Sequence, residues 1–319
     1  MDIRICSDLH LETILSDFSE NKKNLIPERT EKNIFSLVYP YEYVNISILA
    51  GDIGDPFSQY YWNFITYVST MSDLVLIVPG NHEYYGTASN PRSIVKTNQF
   101  LLQEQTKYSN VIFLIDDILE VEFRPNSSIP GSKIAESSIS EDNNIITFIG
   151  TTLWSHIPDE YASHLTKVLP VFKMIQEFSG IDGVNIFNEY NKGSQQLLEL
   201  GCKMKNPFVI THYAPFFNAC HNTKYQNGIT QYGYSNDLFK LNPSVWCYGH
   251  THYDIDDTHI YSFAGKETIY LSNQYGSHGY TDLQWLKDQF HRRKPSDDEI
   301  QSKKTKYTPC FIVNIVIGC

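Results

Sequence analysis

Five short apolar runs in this chain, Ile3 to Cys6, Ile46 to Ala50, Leu74 to Val78, Phe208 to Ile210 and Val245 to Tyr248, each stop abruptly in polar, chemically capable residues. Each run suits a strand and is too short for a typical helix. The stops read Asp8-Leu9-His10, Gly51-Asp52-Ile53-Gly54-Asp55, Gly80-Asn81-His82-Glu83, Thr211-His212 and Gly249-His250-Thr251-His252.

Further strands are expected at Val111 to Ile115, Ile118 to Phe123, Ile145 to Ile149, Thr268 to Leu271 and Phe311 to Ile317. Helical stretches lie between them: Phe57 to Met71, a segment opening at Asn90-Pro91 as N-cap and first-turn proline, Glu160 to Phe178, and Ile186 to Cys202. Strands alternating with helices predict an α/β protein with at least one sheet partly covered on its faces. With 319 residues, 41% hydrophobic and 14% aromatic, the chain can bury a sizeable core. No internal repeat or clear linker interrupts it, so a single domain over 1–319 is expected. Mobile loops are expected near 124–144, rich in Ser, Pro and Asn, and near 291–306, where both signs of charge mix. The 11–43 connection has no strong period.

The formal charge of −11 argues against a broad basic surface for nucleic-acid backbones or anionic lipid. Six cysteines, Cys6, Cys202, Cys220, Cys247, Cys310 and Cys319, form no Cys-x-x-Cys pair, which reads as reduced thiols in a cytoplasmic setting. The first residues lack a charged lead into a long apolar segment, and the apolar tail FIVNIVIGC is short and broken by Asn314, so neither a signal peptide nor a membrane span is expected.

The polar stops hold only oxygen and imidazole donors, with glycines where the backbone turns or approaches closely. In extended chain, residues two apart point to one side, so Asp8 and His10 can grip one ion while His250 and His252 straddle two. The absence of thiolates disfavours a closed structural zinc site and favours hard or borderline divalent ions with positions open to water and substrate. Any one of these motifs alone is ordinary turn chemistry; five in order, each after its own apolar run, are not.

The set resembles the calcineurin-like metallophosphoesterases, whose pattern runs Asp-x-His, Gly-Asp-x-x-Asp, Gly-Asn-His-Glu/Asp, a single His, and Gly-His-x-His, and every element is present between Asp8 and His252. The stretches GTTLW (Gly150 to Trp154), THYAP (Thr211 to Pro215), YSNDL (Tyr234 to Leu238) and SNQYGSHGY (Ser272 to Tyr280) are similar to a mostly bacterial branch of predicted phosphohydrolases. The resemblance implies a four-layer α/β/β/α sandwich holding two divalent metal ions, manganese first, with iron, zinc, nickel or cobalt as alternatives. It implies Asp8, His10 and His252 on the first ion, Asn81, His212 and His250 on the second, and Asp52 bridging both. The implied nucleophile is a hydroxide bridging ions about 3.5 to 4 Å apart. His82 then resembles the histidine that protonates the leaving alcohol oxygen, Asp55 the carboxylate that pairs with that histidine, and Glu83 a residue that orients the loop from behind.

Departures narrow the substrate. Protein Ser/Thr phosphatases continue the second motif with an arginine that grips phosphate, where this chain has Pro56-Phe57. Too little chain follows His252 for the substrate domain of a two-domain nucleotidase, and the repair-nuclease branch has His where Asp55 stands. A compact hydrolase of small phosphomonoesters or phosphodiesters is expected, acting on a nucleotide-like substrate, with a cyclic-nucleotide or nucleic-acid diesterase as the alternative and nucleic acid a partner only as substrate. A non-catalytic metal-binding scaffold of this fold would be expected to lose ligands or the His82 proton donor, and none is lost. Tyr84, Tyr85, Tyr213, Tyr253, Tyr275 and His278 are candidates for a wall that stacks on a base or aryl group, with core packing the competing reading. His156, His164, His221, His259 and His291 read as structural or surface residues.

Overall fold

A computed structural model of the chain describes residues 1–13, 35–36, 38–123, 145–217, 228–252, 259–263, 265–275 and 312–314. The loops expected near 124–144 and 291–306 lie outside the described residues, as do Tyr253, His221, His278 and His291.

The parallel strands read as unbroken apolar runs because both of their faces are buried. β1 (Asp2–Cys6), β2 (Val44–Leu49), β3 (Ser72–Ile77) and β4 (Val111–Phe113) run parallel, with β11 (Ile312–Asn314) antiparallel on the β1 edge. The second sheet orders β5 (Asp117–Glu122), β6 (Ile145–Thr151), β7 (Pro207–Thr211), β8 (Val245–Tyr248), β10 (Lys266–Ser272) and β9 (His259–Phe263). There β6, β7, β8 and β10 are parallel and the two edge strands antiparallel. β9 has no counterpart among the expected strands.

Alternate residues sort to two faces. Ile3, Ile5, Ile46, Ile48 and Leu76 meet Phe148, Phe208, Ile210 and Cys247 between the sheets. Cys6, Leu49, Val75 and Ile77 face the other way, onto Tyr61, Phe64, Ile65 and Val68 of α1 (Gln59–Ser69) and Leu101 of α2 (Ile94–Gln105). On the far side, Ile149, Val209, Trp246 and Tyr270 pack beneath Leu165 of α3 (Asp159–Val168), Phe172 of α4 (Val171–Met174), and Phe187 and Leu198 of α5 (Gly183–Gly201). Helices thus cover the outer faces of two stacked sheets, giving the four layers expected.

Two helix boundaries depart from expectation. α2 begins at Ile94 with Ser93 as its N-cap, Oγ accepting from Lys96 N, not at Asn90-Pro91. The backbone before it is already committed: Asn90 and Thr87 bond each other, and Arg92 N donates to Met174 O at 3.1 Å. The helix expected over Glu160 to Phe178 is split into α3, α4 and a 3-10 turn at Gln176–Phe178. Leu169 is extended (φ −81°, ψ 123°) before Pro170, which lacks an N–H and disfavours helix in the residue before it.

The two sheets are tied at their carboxyl ends. Ser7, just past β1, bridges Gln274, just past β10, with Ser7 N donating to Asn273 O and Tyr275 N to Ser7 O, both at 3.0 Å. The motif loops therefore emerge along one seam, the edge at which open parallel sheets bind ligands.

Candidate metal centre

Asp8 (φ 55°), His10 (47°), Asp52 (53°), His250 (72°) and His252 (48°) all adopt the left-handed backbone region that non-glycine residues avoid. Their convergence comes from these kinks, not from the extended pleat that the two-residue spacing suggested. Such conformations cost of order 1 to 3 kcal/mol each and persist where the surroundings over-determine them. Here the loops are bonded to one another: Asp8 N to Gly51 O (2.9 Å), His10 N to Asp52 O (3.0 Å) and Gly249 N to His212 O (3.0 Å). His250 N also donates to the Asp8 carboxylate at 3.0 Å.

The kinks bring the expected donors into two groups, and a third gathers His10 with Glu12 and His82. One ligand atom each from Asp8, His10, Asp52 and His252 lie within 4.8 Å of one another, as do those of Asp52, His212 and His250. Asp52 belongs to both. His10 Nε2 faces His252 Nε2 at 3.2 Å, and His252 Nε2 stands 3.4 Å from Asp8 Oδ1. Across the site, His212 Nε2 lies 3.0 Å from Asn81 Oδ1, 3.1 Å from His250 Nδ1 and 3.3 Å from Asp52 Oδ2. Nδ1 of His212 meets the Ala50 carbonyl at 2.9 Å, so Nε2 is the atom left facing inward.

The chemistry of this donor set suits divalent cations. Asp8 and Asp52 are 0% and 1% exposed, and their ion-pair partners among the described residues are imidazoles. Buried carboxylates are expensive unless compensated, and imidazole nitrogens opposed at 3.1 to 3.2 Å beside them form a mixed oxygen and nitrogen set for a borderline ion. Without a cation the imidazoles share that burden. Burial alone would raise both carboxyls, yet His252 and His212 around Asp8, and His212 and His82 around Asp52, hold them below the ordinary value. Burial opposes charge on His212 too, but Asp52 outweighs it and lifts the imidazole to about 9. His250, buried and repelled by His212, is pushed well below its ordinary value.

Glycine is required at two contacts. A Cβ on Gly51 (φ 87°) would stand 2.4 Å from His212 Nδ1, and one on Gly80 would stand 2.3 Å from Asp52 Oδ1. Glu83 secures the same loops, its carboxylate accepting from the backbone N–H of Asp52 (2.9 Å), Ile53 (2.7 Å), Gly54 (3.4 Å) and Gly80 (2.8 Å). Burial and the charge of Asp52 push its carboxyl up to about 7 against those donors. Loop orientation, expected of Glu83, is what its contacts do.

Asp55 has a different partner from the one expected. Its carboxylate does not pair with His82; it takes Arg92 through Nη1 at 2.9 Å and Nη2 at 3.4 Å, and Phe57 N at 3.0 Å. The carboxylate at His82 Nδ1 is Glu12, whose Oε1 lies 3.5 Å from that atom and equally 3.5 Å from His10 Nδ1. Glu12 stands two residues after His10, outside every motif that marks the site in the sequence. Burial disfavours the His82 charge, but Asp52 and Glu12 outweigh it and raise the imidazole to about 9. Nε2 of His82 points to the site, 3.9 Å from Asp52 Oδ2.

The aromatic wall differs from the set expected. Tyr84 is core, 2% exposed, donating to Asn98 Oδ1 at 2.8 Å and packing on Trp154. Tyr213, 1% exposed, stacks on His250 at 4.0 Å between centroids, and half-buried Tyr275 packs against the core cluster of the first sheet. Among the described residues, the half-buried rings at the site are Tyr85, 4.5 Å from the His82 ring, and Tyr234, 5.1 Å from His250. His156 and His164 are exposed, and His259 lies on β9.

The sequence model of the calcineurin-like phosphoesterases matches residues 1–254. An uncharacterized protein of Acanthamoeba polyphaga mimivirus is 29% identical over 266 residues, 79% of this chain and 84% of the viral one. Among solved structures, a phosphopantetheinyl hydrolase from Mycobacterium tuberculosis superposes with a TM-score of 0.55 over 92% of this chain and 93% of its own. At 15% identity that likeness is one of fold. Among the described residues, no helix is long and apolar enough to cross a membrane.

Proposed function

Because this chain belongs to the calcineurin-like phosphoesterase family, we propose that it hydrolyses a phosphomonoester or phosphodiester at a pair of divalent ions held by these two donor groups. Asp8, His10 and His252 are assigned to one ion, Asn81, His212 and His250 to the other, and Asp52 to both. The observation that carries the reading is the membership of Asp52 in both groups. Two such ions supply Lewis acidity to phosphoryl oxygens and lower the pKa of water.

The chain's own residues account for the rest. His82 presents Nε2 to the site and holds a proton there for the leaving oxygen, which takes the electron pair of the breaking P–O bond. The attacking water supplies the replacement oxygen, and one of its protons restores His82. Asn81 contributes a neutral oxygen, so the site gains a ligand without another negative charge against the substrate phosphate. Tyr85 and Tyr234 flank the donors and face a small organic leaving group, a nucleotide-like one included.

The test is hydrolysis of paired aryl phosphate monoesters and diesters by protein stripped of metal and reloaded with manganese, zinc or nickel. His82→Asn should lower turnover by about 10²- to 10⁴-fold, the usual worth of a proton donor. The monoester-to-diester ratio assigns the substrate class, with cyclic nucleotides as a second diester probe. Turnover that survives complete metal removal would refute the reading.

A further inference from the structure

We propose that Glu12 is a positioning residue that ties His10, a ligand to one ion, to His82, the proton donor, through one carboxylate oxygen. This rests on the phosphoesterase reading above. Oε1 lies 3.5 Å from Nδ1 of each ring. The two rings meet edge to face with centroids 4.4 Å apart, so one cannot turn without displacing the other. With both Nδ1 atoms held, both Nε2 atoms face the site: that of His10 toward His252 at 3.2 Å, that of His82 toward Asp52 at 3.9 Å. A carboxylate behind a metal-bound imidazole fixes its tautomer and ring plane, and here the same carboxylate serves a second imidazole.

Glu12 is itself held. It sits on the turn entered by Leu11 N bonding Ile53 O at 3.0 Å and closed by Thr13 N bonding His10 O at 2.8 Å. Its other oxygen lies against the second motif, where a Cβ added at Gly54 would come within 3.2 Å of Oε2. Asp55 is not free for the task, since Arg92 and Phe57 N occupy it. The Glu12 side chain is 36% exposed, and ion pairs that open to water stabilise a fold weakly, so its contribution lies in ring orientation.

The experiment compares wild type, Glu12→Gln and Glu12→Ala, loaded with zinc, on p-nitrophenyl phosphate and on an alkyl phosphate. Nitrophenolate leaves without a proton and an alkoxide does not, so a misoriented His82 harms the second substrate more. The expected result is a kcat loss at least tenfold larger on the alkyl ester than on the nitrophenyl ester in both variants, with two ions per chain retained. Equal losses on both esters overturn the proposal, as does loss of an ion, which would make Glu12 a ligand. A second arm needs no turnover: ring N–H resonances of His10 and His82 in the zinc-loaded protein should shift upfield in Glu12→Gln and stay in place in Asp55→Asn. If wild type hydrolyses no ester, the phosphoesterase reading falls while this arm still decides the positioning role. Unmoved ring signals in Glu12→Gln overturn it.

Discussion

Asn81 Nδ2 donates to Tyr85 Oη at 2.8 Å, and this contact turns the amide so that Oδ1 faces His212 Nε2 at 3.0 Å. A phenol four residues along the chain thereby decides which end of the amide meets an ion. Tyr85→Phe should weaken one of two metal-binding events by about 10- to 100-fold, the usual cost of losing a residue that orients a ligand. Calorimetric titration of metal-stripped protein resolves this; unchanged affinity at both sites would mean that the amide needs no such partner.

Gly80→Ala places a methyl group 2.3 Å from Asp52 Oδ1 and 2.6 Å from Asp52 N. Neither neighbour can yield, because Asp52 is bonded to Glu83 and to His82 N. A loss of about 1 to 3 kcal/mol in stability is expected, together with loss of metal binding. Thermal unfolding and metal content after gel filtration check both.

Metal uptake should release protons. In the metal-free protein, Asp52 holds the His212 imidazole at about 9, protonated at neutral pH, whereas a metal requires its Nε2 lone pair. Affinity should therefore rise with pH across the neutral range. Titrations in buffers of different ionisation enthalpy should return protons released per ion bound; a pH-independent affinity would refute this.

The motif residues were legible in sequence because each follows its own apolar run, as Asp52 follows the run ending at Ala50 and Asn81 the run ending at Val78. The manner of their convergence was not. Left-handed backbone at Asp8, His10, Asp52, His250 and His252 has no signature in residues that are not glycine. Nor did spacing disclose that Glu12 would reach His82 across 70 positions, or that Arg92 would take the carboxylate of Asp55; loop packing alone sets both. The break between α3 and α4 was available in Leu169-Pro170, but the apolar spacing on either side reads through it.

Cys6 and Cys247 should resist alkylation in the folded protein at pH 8. Burial pushes the Cys6 thiol from 9.0 up to about 12 and that of Cys247 well above 9.0. The folded state keeps protons that the unfolded chain releases above about pH 9, so these thiols lower stability as pH rises through that point. Peptide mapping after iodoacetamide treatment checks the first statement, and denaturant unfolding at pH 8 and pH 10 the second.

The most direct measurement is a stepwise manganese titration of metal-stripped protein, following turnover of an aryl phosphate and bound metal together, for wild type and Asp52→Asn. Activity should appear as the second ion binds, and Asp52→Asn, having lost the residue common to both groups, should neither hold two ions nor turn over. Full activity with a single bound ion, or wild-type turnover in Asp52→Asn, would contradict it.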